Sequence, residues 1–451
     1  MFNLLRTASL TLVALLSIFS LQAQAATTPL THEFTLDNGL KVIVREDHRA
    51  PVVVSQLWYK AGSSYETPGS TGLAHALEHM MFKGSSKLGP GESSRILREL
   101  GAEENAFTSD DYTAYYQVLA KDRLEVALEM EADRLAGLTL PADEFMREIE
   151  VIKEERRMRT DDNPSGLAYE RFLALAYPAS SYSIPTIGWM QDLERMTLDD
   201  LRQWHERWYM PNNATLVIVG DVQPDEVKTL VQRHFAKIPA RTLPAAKLPL
   251  ELAEAGARRS TQYLKTRLPS LLLGFNVPAL NTTANTTEVH ALRLISALLS
   301  GGESARLPAQ LERKQELVAG AGSWYNPFAR GDSLFVLSAT PNTQKDITLK
   351  QTEQAIWQQL KALQNTPPTA AELDRVRAQL IAGEVYARDS ITRQARSIGM
   401  LETVGLSWQL LDSDFDSLNA VTPADIQAAA RKFFTPQRST TLFVLPEENR
   451  P

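Results

Sequence analysis

Two stretches of this chain, 225 positions apart, carry the same pattern, and that repeat narrows the available folds more than any other feature. Thr197 to Val219 aligns without a gap on Thr422 to Val444. Thr197 matches Thr422, Leu201 matches Ile426, and Trp208-Tyr209 matches Phe433-Phe434. Pro211 matches Pro436, and Thr215 matches Thr440. Each copy reads as a capped helix, a proline stop and an apolar strand. A duplicated unit of this size implies two similar α+β domains joined by a linker.

The division of the chain follows. Met1 to Ala25 reads as a secretory signal peptide, with Arg6, an apolar middle from Ala8 to Leu21, and a small-x-small site at Ala23-Gln-Ala25. That apolar run is too short for a membrane span, so the mature chain is expected to be exported, to a bacterial periplasm, with no span of its own. Residues 30–237 form the first domain. Ile238 to Ala257, with three prolines and many alanines, is the linker. Residues 258–448 form the second. A net charge of −7 argues against a nucleic-acid partner. The chain has no cysteine, so stability must come from its core and any metal site must use histidine and carboxylate.

In the first domain, His32 to Lys60 alternates apolar and polar residues around the turn signal Asp37-Asn-Gly39, which predicts sheet strands. Pro141 to Arg159 reads as helix, Asp162-Asn-Pro-Ser-Gly166 as a break, and Glu170 to Ala176 as a short helix.

The chemistry sits in Gly72-Leu-Ala-His75-Ala-Leu-Glu78-His79-Met-Met-Phe-Lys-Gly84. The run is rich in Leu, Ala and Met and predicts a helix. His75 and His79 then lie one turn apart on one face, the spacing that grips one divalent metal, most plausibly zinc. Glu78 points to the same side and is placed to take a proton from water activated there. The surrounding apolar residues suit a buried helix, where charge must be paired or metal-bound. A catalytic zinc needs a third protein ligand. Glu148-Ile-Glu-Val-Ile-Lys-Glu-Glu155 offers candidates, since Glu148 and Glu155 are two turns apart and share a face.

The order His-x-x-Glu-His is the inverzincin signature. The whole motif resembles the core of the pitrilysin/insulinase family of zinc peptidases, which includes the mitochondrial processing peptidase. The resemblance implies a glutamate ligand about 76 positions after the second histidine, in a Val-hydrophobic-x-x-Glu pattern. Val151-Ile-Lys-Glu-Glu155 fits, with Glu155 76 positions after His79. The resemblance therefore makes His75, His79 and Glu155 the zinc ligands, one zinc per chain, with Glu78 as general base. Glu148 becomes the accompanying glutamate behind the ligands. Asn105-Ala106-Phe107-Thr108 is similar to the family's edge strand, on which peptide substrate pairs as an added strand. The implied architecture is two α+β halves, each a mixed, mostly antiparallel sheet packed with helices, closing a clam-like chamber.

In the second half, Leu292, Ile295 and Ser296 fall where the first has His75, Glu78 and His79, so the metal site is expected to be lost there. The family's second half normally carries an arginine and a tyrosine, seven apart, that hold substrate and the developing oxyanion. Here Leu311, Lys314 and Leu317 fit that pattern, but the two places hold Glu312 and Ala319. Arg313 and Tyr325 are the nearest substitutes by register shift. The resemblance thus implies half an enzyme: a zinc-bearing endopeptidase subunit for unfolded peptides, working with a related subunit that bears the arginine and tyrosine. The alternative is a non-catalytic peptide-binding or assembly subunit on the same fold. Retention of His75, Glu78, His79 and Glu155 together weighs against that alternative.

Overall fold

The computed structural model describes residues 31–450. The segment read as a signal peptide lies outside them. Two sheets form the frame. The first holds β1 (Thr31–Thr35), β2 (Lys41–Glu46), β3 (Val52–Tyr59), β4 (Glu103–Thr108), β5 (Thr113–Ala120) and β6 (Ala214–Gly220), in the order β1-β2-β6-β3-β5-β4. The second holds β7 (Arg258–Leu264), β8 (Ser270–Val277), β9 (Val318–Trp324), β10 (Ser333–Pro341) and β11 (Ser439–Pro446), in the order β7-β11-β8-β10-β9. Apart from β1 the two orders are the same. Each sheet has one parallel pair, β2 with β6 and β7 with β11, and is otherwise antiparallel. The fold is therefore α+β with two mixed sheets.

The repeat extends to hydrogen bonds. Thr197 and Thr422 each start a helix with a capping box, closed by Asp200 and Asp425 respectively. The Asp37-Asn-Gly39 turn joins β1 to β2, with Gly39 at φ +82, a left-handed value that a side chain would strain. Residues 241–250 of the inferred linker carry no helix or strand.

Alternation in β2 and β3 predicts one buried face, yet both faces are covered. Val42, Val44 and Leu57 pack with the helices of the first half. Ile43, Val54 and Trp58, on the opposite face, pack against Ala395 and Ile398. Those residues belong to the helix Ile391–Thr403 of the second half. In return, the helix Pro164–Ala176 of the first half covers the second sheet, Phe172 packing with Leu334 and Leu442. The two helices occupy equivalent places in the repeat, and each lies on its counterpart's sheet. This reciprocal exchange ties the halves together through their cores. A buried network adds to it: Arg330 donates to Asp111 and to Ser64 Oγ (2.8 Å), and the Tyr182 hydroxyl donates to Asp111 (2.7 Å).

The first exchanged helix begins inside the expected break. Asn163 accepts from the backbone N–H groups of Ser165 (3.0 Å) and Gly166 (3.2 Å), and Pro164 sits at the first helical position. Asn-Pro is here a start signal, because the proline's missing N–H has no partner to lose at that position. The preceding helix runs Ala142–Arg156 and ends in a wider turn over Arg157–Asp161, rather than continuing to Arg159 as one α-helix.

The exchange has a tight point. A Cβ placed on Gly399 would lie 2.1 Å from Cε2 of Trp58, whose ring is fully buried. Gly→Ala inside a helix usually stabilises by about 1 kcal/mol. Here overpacking against a fixed indole, about 1–3 kcal/mol, outweighs that gain. Gly399→Ala is expected to lower the denaturation midpoint, and an unchanged or raised midpoint would show that the helix is not seated on Trp58.

Candidate metal centre and substrate cleft

The histidine helix spans Leu73–Met80 and buries Leu73, Ala74, Ala76, Leu77 and Met80. Its start has no side-chain cap from Gly72. Glu66 serves instead: its carboxylate accepts from the backbone N–H of Gly72 (2.7 Å) and of Ala74 (2.8 Å). Burial pushes the Glu66 carboxyl up to about 8, and the N–H groups of Ala74, Gly72 and Leu73 pull back only part of that rise. A cap six residues before the helix follows no local sequence pattern, so only the fold reveals this role of Glu66.

Glu155 comes from the glutamate helix Ala142–Arg156, packed beside the histidine helix. His75, His79 and Glu155 each offer one donor atom, all within 4.8 Å of one another. Nε2 of His79 lies 3.4 Å from Oε2 of Glu155, and Nε2 of His75 lies 3.8 Å from it. A tetrahedral zinc with ligand bonds of about 2.1 Å sets its donors about 3.4 Å apart. Two imidazoles and a carboxylate are also a zinc donor set. Burial, with His79 and Arg159 adding to it, pulls the His75 imidazole down to about 3, so it is a neutral donor at neutral pH. On this geometry the residues fit the metal.

The surrounding groups orient the donors. Glu148 accepts from Nδ1 of His79 (2.9 Å), leaving Nε2 turned to Glu155. Lys83 holds the other oxygen of Glu148 at 2.5 Å. Burial alone would raise the Glu148 carboxyl, but the hydrogen bonds from His79 and Lys83 outweigh it and hold it below the usual range. Arg159 pairs with Oε1 of Glu155 (2.9 Å). The Thr108 hydroxyl donates to Oε2 of Glu78. Burial raises the Glu78 carboxyl and the Thr108 bond opposes that rise. Thr108 stands 30 residues from Glu78 on β4, so only the fold reveals the contact.

These groups open onto a cleft of about 820 Å³. One wall is β4, the outermost strand of the first sheet, with Asn105, Ala106 and Thr108. Phe107 also borders the cleft, while its ring packs on Trp58 (5.2 Å) beneath Arg396. The facing wall carries Tyr169 and Leu173 of the first exchanged helix and the segment Ile184–Ile187. All lining residues lie between 75 and 187, so the walls found here come from the first half rather than from both. The second half approaches through Trp324, 6.1 Å from the Tyr169 ring.

Neither substitute for the arginine–tyrosine pair reaches the cleft. Arg313 is exposed and pairs with Glu303 (2.8 Å), and the Tyr325 hydroxyl donates to the Pro278 carbonyl (2.5 Å). Glu312 accepts from the backbone of Ala321 (3.0 Å). Leu292 and Ile295 are buried in the second core, and Ser296 meets Ser323 (3.2 Å), so that helix holds no equivalent donor set.

Comparison with known proteins agrees with this architecture. The family described as Insulinase (Peptidase family M16) matches residues 41–188, and that described as Peptidase M16 inactive domain matches residues 195–380. The chain belongs to the pitrilysin/insulinase family, peptidase family M16. It is 31% identical to the zinc protease PqqE of Helicobacter pylori, over 99% of each chain. It is 25% identical to the uncharacterized zinc protease YmxG of Bacillus subtilis, over 93% of this chain and 99% of that one. A crystal structure of a protease from Helicobacter pylori superposes with a TM-score of 0.86 at 31% identity, covering 93% of this chain and all of the other. The fold also matches the periplasmic protease PqqL of Escherichia coli (TM-score 0.80, 20% identity), covering 94% of this chain but 48% of that one. No helix among the described residues is long and apolar enough to cross a membrane.

Proposed function

We propose that the protein is an exported zinc endopeptidase subunit that cleaves unfolded peptides along β4. The observation that carries this reading is the convergence of His75, His79 and Glu155 beside the Glu78 carboxyl, at the foot of a cleft walled by a sheet edge. His75, His79 and Glu155 would hold the zinc, which when bound supplies a Lewis acid for the scissile carbonyl and activates water at neutral pH. Glu78, steadied by Thr108, takes the proton of the attacking water on a carboxylate oxygen and passes it to the leaving amine. An extended peptide pairs with β4 through its main chain beside Asn105 and Ala106, which admits many sequences. Such pairing needs an unfolded segment, because a folded protein has no free strand to lay in the cleft. The expected leader at 1–25 supports export to a bacterial periplasm, in line with the periplasmic description of PqqL.

Metal analysis tests the assignment together with peptide cleavage. The wild type is expected to hold one zinc per chain. His75→Ala, His79→Ala and Glu155→Gln each remove one of three protein donors and should lose most of it. Glu148→Gln only releases the His79 ring and should weaken affinity about 10–100-fold. Full zinc in the His79→Ala protein would refute the ligand set.

A further inference from the structure

A second cavity lies on the far face of the first sheet, under the second exchanged helix, and shares no residue with the peptide cleft. Its volume is about 110 Å³. The outward face of β2 presents Lys41, Ile43, Arg45 and, just beyond the strand, Asp47 to that helix. Three of these have partners. Lys41 donates to Glu402 (2.7 Å), Ile43 packs with Ala395 and Ile398, and Asp47 accepts from Gln394 (3.0 Å) and from Arg49. Arg45 has none. Its residue is 2% exposed, it forms no side-chain hydrogen bond or ion pair among the described residues, and its Nε is buried without an acceptor. It lines the cavity.

Three nearby aspartates are committed elsewhere, while Glu384, exposed and also lining the cavity, pairs with no group among the described residues, Arg45 included. Asp414 is gripped by both contacts from Arg293 (2.6 and 2.8 Å), Asp412 pairs with Arg388 (3.2 Å), and Asp47 is held by Arg49. Arg393, exposed at the same cavity, has no side-chain partner among the described residues either. A buried guanidinium without a counter-charge is costly, and its planar fork matches a carboxylate. Phe328, Met400, Leu401, Leu410, Leu411 and Phe415 give the cavity an apolar side, beside a polar one that includes Arg388, Gln394 and Ser397. A cavity of about 150 Å³ holds benzene, so this one suits a small body rather than a peptide chain.

We infer that this cavity binds a small organic carboxylate, its charge on Arg45 and its short aliphatic body against Met400, Leu411 and Phe415. Arg45 comes from the first half and the other walls from the second, so the ligand would bridge the seam of the helix exchange. The site is separate from the peptide cleft and does not depend on the zinc reading.

Thermal unfolding of the full chain with propionate and butyrate tests this, with 1-butanol and sulfate as controls. Propionate or butyrate should raise the midpoint saturably, while the neutral alcohol and the bare anion should not. Arg45→Met should abolish that shift and melt at or above the unliganded wild type, because it removes an uncompensated buried charge. If Arg45→Met does not fold, Met400→Trp, which fills the cavity and keeps Arg45, should lose the shift instead. A wild type indifferent to both carboxylates, an equal response to 1-butanol, or a shift that survives in the folded variant overturns the inference.

Discussion

Replacing Glu78 by glutamine is expected to leave zinc content unchanged and to lower peptide cleavage by at least ~10²–10⁴-fold, the usual contribution of a positioned general base. Glu78 is not one of the three clustered donors, so the metal should not feel the change. The amide is nearly isosteric and can still accept from Thr108 through its oxygen. What it cannot do is accept the proton of the attacking water. The measurement is steady-state cleavage of an unfolded peptide beside metal analysis of the same preparations. Lost zinc would make Glu78 part of the metal site. Retained activity would move the base to another group. A zinc-loaded wild type that cleaves nothing, even with a sister subunit, would favour the non-catalytic peptide-binding alternative.

The contrast between Glu78 and Thr108 shows what the chain discloses by itself. His75, Glu78 and His79 lie within one turn and a half of a helix, so their shared face follows from helical geometry. Glu155 sits 76 positions further on; helix spacing makes it one of two candidates with Glu148, the family resemblance chooses it, and the structure places its carboxylate 3.4 Å from His79. Thr108 and Glu66 act across a strand pairing and a loop, and nothing in their own neighbourhood marks them. The repeat predicted two like sheets, and their strand orders agree. The exchange of Pro164–Ala176 for Ile391–Thr403 could not be read in the same way. An apolar stripe on a helix says that it is covered, not which sheet covers it. Arg45 was silent for a similar reason: in sequence it is one more charge at the end of a strand.

This chain alone is expected to cleave an unfolded peptide some ~10²–10³-fold more slowly than it does together with a related subunit, the usual cost of one missing oxyanion donor. The motive is what the cleft lacks. Its lining holds one arginine among the described residues, Arg159, and that side chain is tied to Glu155. The positions where the family resemblance calls for arginine and tyrosine are Glu312 and Ala319, and Arg313 and Tyr325 are bound elsewhere. Charge developing on the scissile carbonyl would therefore meet the metal without that pair. A partner can restore the donors only by closing over the same cleft, so the complex should survive gel filtration. The test compares this chain, a sister chain carrying the arginine–tyrosine pattern, and their mixture on one peptide. Full activity from this chain alone would mean that Arg159 or another group in residues 75–187 completes the site, and the two-subunit reading would fall.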